Sequence, residues 1–121
     1  VQLISCGDDG TVYLNARNFG ETKGHRLSAL SFDGGDTFSS FSVVKDLTEP
    51  VTNQWTGIVG SLIRWTYATD TGLNKILFSD PGAQTSRSNL TVYMTTDETS
   101  TWHESKLINE GPSGYSDMAK I

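Results

Sequence analysis

The chain has 121 residues, of which 36% are hydrophobic and 19% charged, which suits one small globular domain. Its formal net charge of −5 argues against nucleic acid or an anionic membrane as a partner, because both require a basic surface. No apolar run approaches the roughly 18 residues that span a membrane, and the single cysteine, Cys6, excludes a disulfide within the chain.

Short strand-like runs alternate with turn clusters along the whole chain, and sustained helical spacing is absent. We predict strands near residues 1–5, 11–15, 26–31, 39–44, 61–68, 75–79, 89–95 and 102–108. Clusters rich in glycine, aspartate, proline and hydroxyl residues separate them, at 7–10, 33–36, 70–72, 80–82 and 97–100. This pattern predicts an all-β fold.

One motif occurs twice. The first octet, residues 31–38, reads Ser-Phe-Asp-Gly-Gly-Asp-Thr-Phe, and the second octet, residues 95–102, reads Thr-Thr-Asp-Glu-Thr-Ser-Thr-Trp. In the same frame, residues 12–14 align with 76–78 and residues 43–44 with 107–108. Each repeat then holds an inner strand near 12–14 or 76–78 and four strands in total, the composition of a propeller blade. About two blades cannot close a propeller of roughly four to eight, so we expect a piece of a longer protein.

The octets have the features of a structural turn. Asp33 can accept hydrogen bonds from the amides of the turn, and Gly34 and Gly35 allow positive φ angles. The closing aromatic residue, Phe38 or its counterpart in the second octet, can cap the hairpin. The second octet has Thr99 in place of a glycine, so we expect its turn to be less strained or differently built. The remaining oxygen ligands of a calcium loop are missing, so we assign the octets to the scaffold.

The first octet resembles the Asp-box of sialidases (neuraminidases), and three further segments sharpen this resemblance. Leu14-Asn15-Ala16-Arg17 precedes the strand that enters the first octet, and Arg87 precedes the apolar strand that enters the second. Gly114-Tyr115-Ser116-Asp117 is similar to the Tyr-Ser-Asp-Leu segment of the family. The resemblance implies that Arg17 and Arg87 bind the substrate carboxylate and that Tyr115 is the catalytic nucleophile.

The resemblance implies that residues 1–121 form about two blades of a larger, six-bladed sialidase propeller. The implied activity is release of terminal sialic acids from glycoproteins, glycolipids or oligosaccharides, with retention and without cofactor or metal. The family's catalytic aspartate and glutamate and its first arginine lie upstream of the matching segment. Glu21 follows Arg17 and does not take the glutamate's role. We therefore expect this chain alone to be inactive.

These residue types suit the implied chemistry. The planar guanidinium of arginine binds a carboxylate bidentately and stays protonated. Sialidases are an exception among retaining glycosidases because their nucleophile is a tyrosine. A neutral phenol avoids the repulsion that a carboxylate nucleophile would meet beside the substrate carboxylate, but its pKa of about 10 requires a base partner.

Alternatives remain open at this point. An Asp-box propeller can also be a non-catalytic module that binds glycans or proteins, and a trans-sialidase would carry the same motifs. We assign Arg26 and Arg64 to structural roles and His25 and His103 to the surface. Trp55 fits blade packing or the lining of a glycan cleft.

Overall fold

The computed structural model of the chain describes residues 1–7, 9–20, 23–52 and 56–121. Within these residues the fold consists of two four-stranded antiparallel sheets and one helical turn. The first sheet contains, in spatial order, β1 (Gln2–Cys6), β2 (Thr11–Ala16), β3 (His25–Ser31) and β4 (Ser42–Thr48). The second contains β5 (Ser61–Thr66), β6 (Lys75–Pro81), β7 (Ser88–Thr95) and β8 (His103–Pro112), with α1 (Ala68–Thr71) between β5 and β6. The predicted all-β fold is confirmed.

The repeat matches the sheets except in their first strands. Residues 12–14 and 76–78 lie in β2 and β6, each the second strand of its sheet and paired with a strand on both sides. The first strands, β1 and β5, contact each other. The β5–β6 connection contains α1 and is longer than the β1–β2 connection, so β5 falls out of the repeat frame.

Several strand boundaries differ from the prediction, by up to four residues, as at the end of β8. β4 begins at Ser42, three residues later than predicted, although the amide of Ser39 already donates to the carbonyl of Leu30 in β3 (2.8 Å). Strand β5 ends at Thr66, because α1 follows and terminates at Gly72, whose φ of 74° is left-handed. No helix among the residues described is long and apolar enough to cross a membrane.

The core lies between the two sheets and is rich in aromatic rings. Trp102, at the end of the second octet, is 5% exposed. Its ring centroid lies 6.3 Å from that of Tyr13 in the first sheet and 6.3 Å from that of Phe78 in the second. By contrast, Phe38 is 37% exposed. The predicted aromatic cap is therefore buried at the second octet and more than one third exposed at the first.

The two octets form the same turn, so the prediction of a different second turn is wrong. Thr37 donates to Asp33 through its amide (2.9 Å) and its hydroxyl (2.6 Å), and Thr101 donates to Asp97 over the same two distances. Glu98 and Thr99 adopt φ angles of 54° and 75°, in the left-handed region that glycine occupies in the first octet. The threonine hydrogen bonds outweigh the local preference of these two residues.

These hydrogen bonds favour the ionised octet carboxylates. Donation by Thr37 and Ser31 lowers the pKa of Asp33. Burial raises the pKa of Asp97, but hydrogen bonds from Thr101 and Thr95 outweigh it and leave the pKa below its ordinary value. Both turns are therefore held by carboxylates that stay charged at neutral pH.

The second octet also joins the two sheets. Arg64 of β5 donates to Glu98 Oε1 (3.0 Å) and to the carbonyl of Ser5 at the end of β1 (2.8 Å). The amide of Gly7 donates to Glu98 Oε2 (3.0 Å). The hydrogen bond from Arg64 lowers the pKa of Glu98. Arg64 is thus a structural residue, and we call this contact the Arg64–Glu98 clasp.

Candidate functional site

Antiparallel pairing places the three candidate residues at one edge of the sheets. Arg17 directly follows β2, Arg87 directly precedes β7, and Tyr115 lies just beyond the end of β8. In each sheet these strand ends are on the same side, and the octets connect the opposite ends. We call the first side the site edge and the second the octet edge.

Two contacts bring the site edges of the two sheets together. The amide of Val51, which follows β4, donates to the carbonyl of Gln84 (2.8 Å), which follows β6. The hydroxyl of Thr48 donates to the carbonyl of Gly82 at 3.4 Å. An open cleft of about 420 Å³ lies at this junction, lined by Lys23, Gly24, His25, Glu49, Val51, Gln84 and Thr85.

Arg17 is half-buried and anchored at one nitrogen. Its Nε donates to the carbonyl of Thr56 at 2.7 Å, and its guanidinium carbon lies 4.3 Å from the ring centroid of Phe19. Among the residues described, none accepts a hydrogen bond from its terminal nitrogens. A guanidinium held in this way presents two parallel donors, the arrangement that binds a carboxylate.

A buried cluster of charged side chains, Arg26, Glu49 and Asp80, lies next to the segment that carries Arg17. Arg26 is completely buried and donates through Nε to Asn15 (2.7 Å) and through Nη1 to Glu49 Oε1 (2.6 Å). It also donates to the carbonyl of Ile58 (2.7 Å) and to the side chain of Gln2 (2.9 Å). The structural role expected for Arg26 agrees with this arrangement, because every one of its nitrogens is engaged.

Sequence reasoning did not single out Glu49. The side chain is completely buried, and its partners Arg26 and Asn18 are 23 and 31 residues away along the chain. No local pattern around Glu49 marks it, because its role arises only when β3, β4 and the segment after β2 meet. A buried glutamate at a strand end is expensive unless paired, but its burial is not visible in the sequence.

Asp80 adds a second buried carboxyl group. Its Oδ2 lies 3.6 Å from Arg26 Nη1, and neither carboxyl oxygen has a hydrogen-bond partner in the described part of the chain. Burial raises the pKa of Asp80 well above its ordinary value of 3.8, more than the nearby Arg26 and Arg17 lower it. Arg26 and Glu49 thus form the close ion pair of the cluster, and burial favours the neutral form of Asp80.

Arg87 lies close to the segment that carries Tyr115. Its side chain is half-buried, and its carbonyl accepts a hydrogen bond from the amide of Ser113 at 2.9 Å. This backbone contact continues the β7–β8 pairing beyond the strands themselves. The loop before β7 and the segment after β8 therefore run side by side at the site edge.

Tyr115 is 66% exposed, and the residues after it dock onto the second sheet. Ser116 Oγ lies 2.8 Å from Ser79 Oγ, and Asp117 accepts a hydrogen bond from the hydroxyl of Ser61 at 3.0 Å. The Ser-Asp pair of the motif thus fixes the backbone beside the start of β5 and the end of β6. Within the residues described, the hydroxyl of Tyr115 makes no hydrogen bond.

The two histidines of the chain differ in exposure. His103 is exposed, as expected, whereas His25 is half-buried beside the cleft. Trp55 and Glu21 lie outside the described residues.

Cys6 is buried, and burial raises the pKa of its thiol to about 11, which keeps it protonated. No group of three or more His, Cys, Asp or Glu in the described ranges could hold a metal ion.

Comparisons with known proteins point to one family. The chain is 34% identical over 116 residues to a sialidase of Micromonospora viridifaciens, a match that includes 93% of this chain and 17% of that protein. Its structure is similar to that of the Hadza microbial sialidase Hz136, with a TM-score of 0.70 and 28% identity over 90% of this chain and 21% of the other. No protein-family model matches the chain.

A more distant structure shows the same fold. The intramolecular trans-sialidase of Ruminococcus gnavus has a TM-score of 0.68 at 22% identity, over 96% of this chain and 24% of the other. The resemblance drawn from the sequence motifs is confirmed by these comparisons. This chain spans about a sixth of the curated sialidase and between a fifth and a quarter of the two solved structures.

Proposed function

Because this chain is related to sialidases in sequence and in fold, we propose that the whole protein releases terminal sialic acids from glycoconjugates. One observation carries this proposal. Arg17, Arg87 and Tyr115, the residues that match the family's motifs, all lie at the site edge, on the side away from the octets. A carboxylate-binding pair and a nucleophile at one edge are what this reaction requires.

The two arginines would bind the carboxylate that sialic acid carries on its anomeric carbon. The anchored Arg17 offers its terminal nitrogens as a fork, and each charge-assisted hydrogen bond of this type contributes about 1.5–3 kcal/mol. In a protein segment of net charge −5, such a local concentration of positive charge is needed to attract an anionic sugar. Binding of the carboxylate also fixes the anomeric carbon relative to the nucleophile.

Tyr115 would attack the anomeric carbon. Its oxygen forms a bond to that carbon as the bond to the leaving glycan oxygen breaks, and water then hydrolyses the glycosyl–tyrosine intermediate, which gives overall retention. The phenol must lose its proton to a base, and the leaving oxygen must gain one. The family's aspartate and glutamate, which would carry out these proton transfers, and its first carboxylate-binding arginine are not assigned to this chain, so we expect residues 1–121 alone to be inactive.

The test is a Tyr115→Phe substitution in the full-length protein. With a chromogenic sialoside as substrate, we expect the rate of sialic acid release to fall at least about a hundredfold, because the nucleophile is lost while the ring remains. Tyr67→Phe, on an exposed tyrosine beside α1, is the matched control and should keep full activity.

The outcomes separate the alternatives. An active wild type whose Tyr115→Phe variant keeps its full rate contradicts the nucleophile assignment. An inactive wild type that still binds sialyllactose would favour a non-catalytic glycan-binding propeller. Addition of lactose as an acceptor separates a hydrolase from a trans-sialidase, because only the latter transfers sialic acid to it.

A further inference from the structure

We propose that Glu49 is a positioning residue that holds the guanidinium of Arg17 in place for the carboxylate of a sialoside. This inference rests on the proposed function. It concerns a residue that does not touch the substrate and that acts through Arg17.

Glu49 is linked to residues on both sides of Arg17, to the backbone of Asn18 directly and to the side chain of Asn15 through Arg26. Its Oε2 accepts a hydrogen bond from the amide of Asn18 at 3.0 Å, directly after Arg17. Its Oε1 accepts one from Arg26, which in turn donates to the side chain of Asn15, two residues before Arg17. One carboxylate therefore holds the turn of chain from which the Arg17 side chain extends.

Glu49 also orders the segment that anchors the Arg17 side chain. The carbonyl of Thr56 accepts the hydrogen bond from Arg17 Nε, and the carbonyl of Ile58, two residues later, accepts one from Arg26. Between them, Gly57 packs directly on Glu49. A Cβ atom at position 57 would lie 2.6 Å from Glu49 Oε1, so only glycine allows this approach.

Loss of the Glu49 carboxylate should displace Arg17 strongly, because the contacts of Glu49 are buried. Arg26 and Glu49 are both fully buried, so their contact is neither hydrated nor screened. If the Glu49 carboxylate is lost, the amide of Asn18 and the guanidinium of Arg26 each lose an acceptor, and the segment carrying Thr56 loses its support. A misplacement of about 1 Å in such a site can cost about a hundredfold in rate.

A double-mutant cycle on kcat/KM in the full-length protein tests this role, with a chromogenic sialoside as substrate. We expect Glu49→Gln alone to lower kcat/KM about 10- to 100-fold, mainly through KM, and Arg17→Ala to lower it at least as much. If Glu49 acts through Arg17, adding Glu49→Gln to Arg17→Ala should cost no more than about threefold further. Glu104→Gln, on an exposed glutamate of β8, is the matched control and should leave kcat/KM unchanged.

A purely structural role would give a different result. In that case the losses would multiply in the double variant, and this result would overturn the proposal. Assays are made well below the unfolding midpoint of each variant. If Glu49→Gln does not fold, Gly57→Ala takes its place, because it displaces the carboxylate while leaving both charges present; its losses should be equally non-additive with Arg17→Ala, and multiplying losses would again overturn the role.

The failure of this inference can be told apart from that of the proposed function. An active wild type with multiplying losses contradicts only the role of Glu49. A wild type that does not cleave sialosides contradicts the proposed function and, with it, the role of Glu49.

Discussion

Asp80 is a fully buried carboxyl group whose protonation affects the stability of the fold. Its folded pKa is raised above the ordinary value of 3.8, mainly by burial. A carboxyl group of this kind binds its proton more tightly in the folded than in the unfolded state. The contribution of the protonated Asp80 carboxyl group to the free energy of unfolding is therefore fully present below pH 3.8. It is lost as the pH rises through the raised pKa of the folded state.

We expect Asp80→Asn to raise the unfolding midpoint at pH 7, because a neutral amide removes the cost of burying or protonating the carboxyl group. Each 1 kcal/mol corresponds to roughly 2–8 °C in a domain of this size. The gain should shrink as the pH approaches 4, and circular dichroism melting curves at both pH values measure it. Asp70→Asn, on an exposed aspartate, is the control. A lower midpoint at pH 7 would contradict the assignment.

Motif residues and cluster residues differed in how well the sequence revealed them. Arg17, Arg87 and Tyr115 stand in short recognisable segments, so their positions could be proposed before the fold was known. Glu49 and Asp80 act through partners that are distant in sequence. Their importance depends on burial and on the meeting of several strands, neither of which a local pattern records.

At the scale of elements, the octet turn shows hydrogen bonding overriding residue preference. Threonine rarely adopts a positive φ, so the sequence favoured a different turn in the second octet. The structure keeps the turn because Asp97 binds Thr101 as Asp33 binds Thr37. Glu98, held at the same turn, makes the Arg64–Glu98 clasp.

Substitutions at the two equivalent turn positions, Gly35 and Thr99, should therefore change the free energy of unfolding by different amounts. Gly35 has a φ of 105°, and a Cβ atom there meets nothing within 4 Å, so Gly35→Ala should cost about 1–2 kcal/mol through backbone strain alone. Thr99→Gly should be neutral or slightly stabilising, since relief of strain opposes the added entropy of the unfolded chain. Urea unfolding measures both, and a neutral Gly35→Ala would refute the strain argument.

At the scale of the whole molecule, the two sheets are joined by the ring of Trp102 and by the Arg64–Glu98 clasp. The amide of Trp102 also donates to Asp46 of β4 at 3.1 Å. The sequence repeat predicted two similar four-stranded units. It did not predict how they pack, because the contact of β1 with β5 involves the strands that fall outside the repeat frame.

Trp102→Ala should destabilise the chain by about 3–5 kcal/mol, because it opens a cavity between the sheets and removes contacts with Tyr13 and Phe78. Phe38→Ala, the equivalent substitution in the first octet, should cost clearly less, about 1 kcal/mol, because that ring is 37% exposed and lies outside the core between the sheets. Urea unfolding of the full-length protein measures both. Equal costs for the two would contradict the asymmetry of the octets.

The Arg64–Glu98 clasp has a consequence for the order of folding. In both sheets every strand pairs only with the strands next to it in sequence, so each sheet can form by closing short loops. The hydrogen bond from Gly7 to Glu98, in contrast, joins residues 91 positions apart. We therefore expect each sheet to form early from its own hairpins. The two sheets should dock later and more slowly, because the contact between Gly7 and Glu98 closes a long loop at a larger cost in chain entropy.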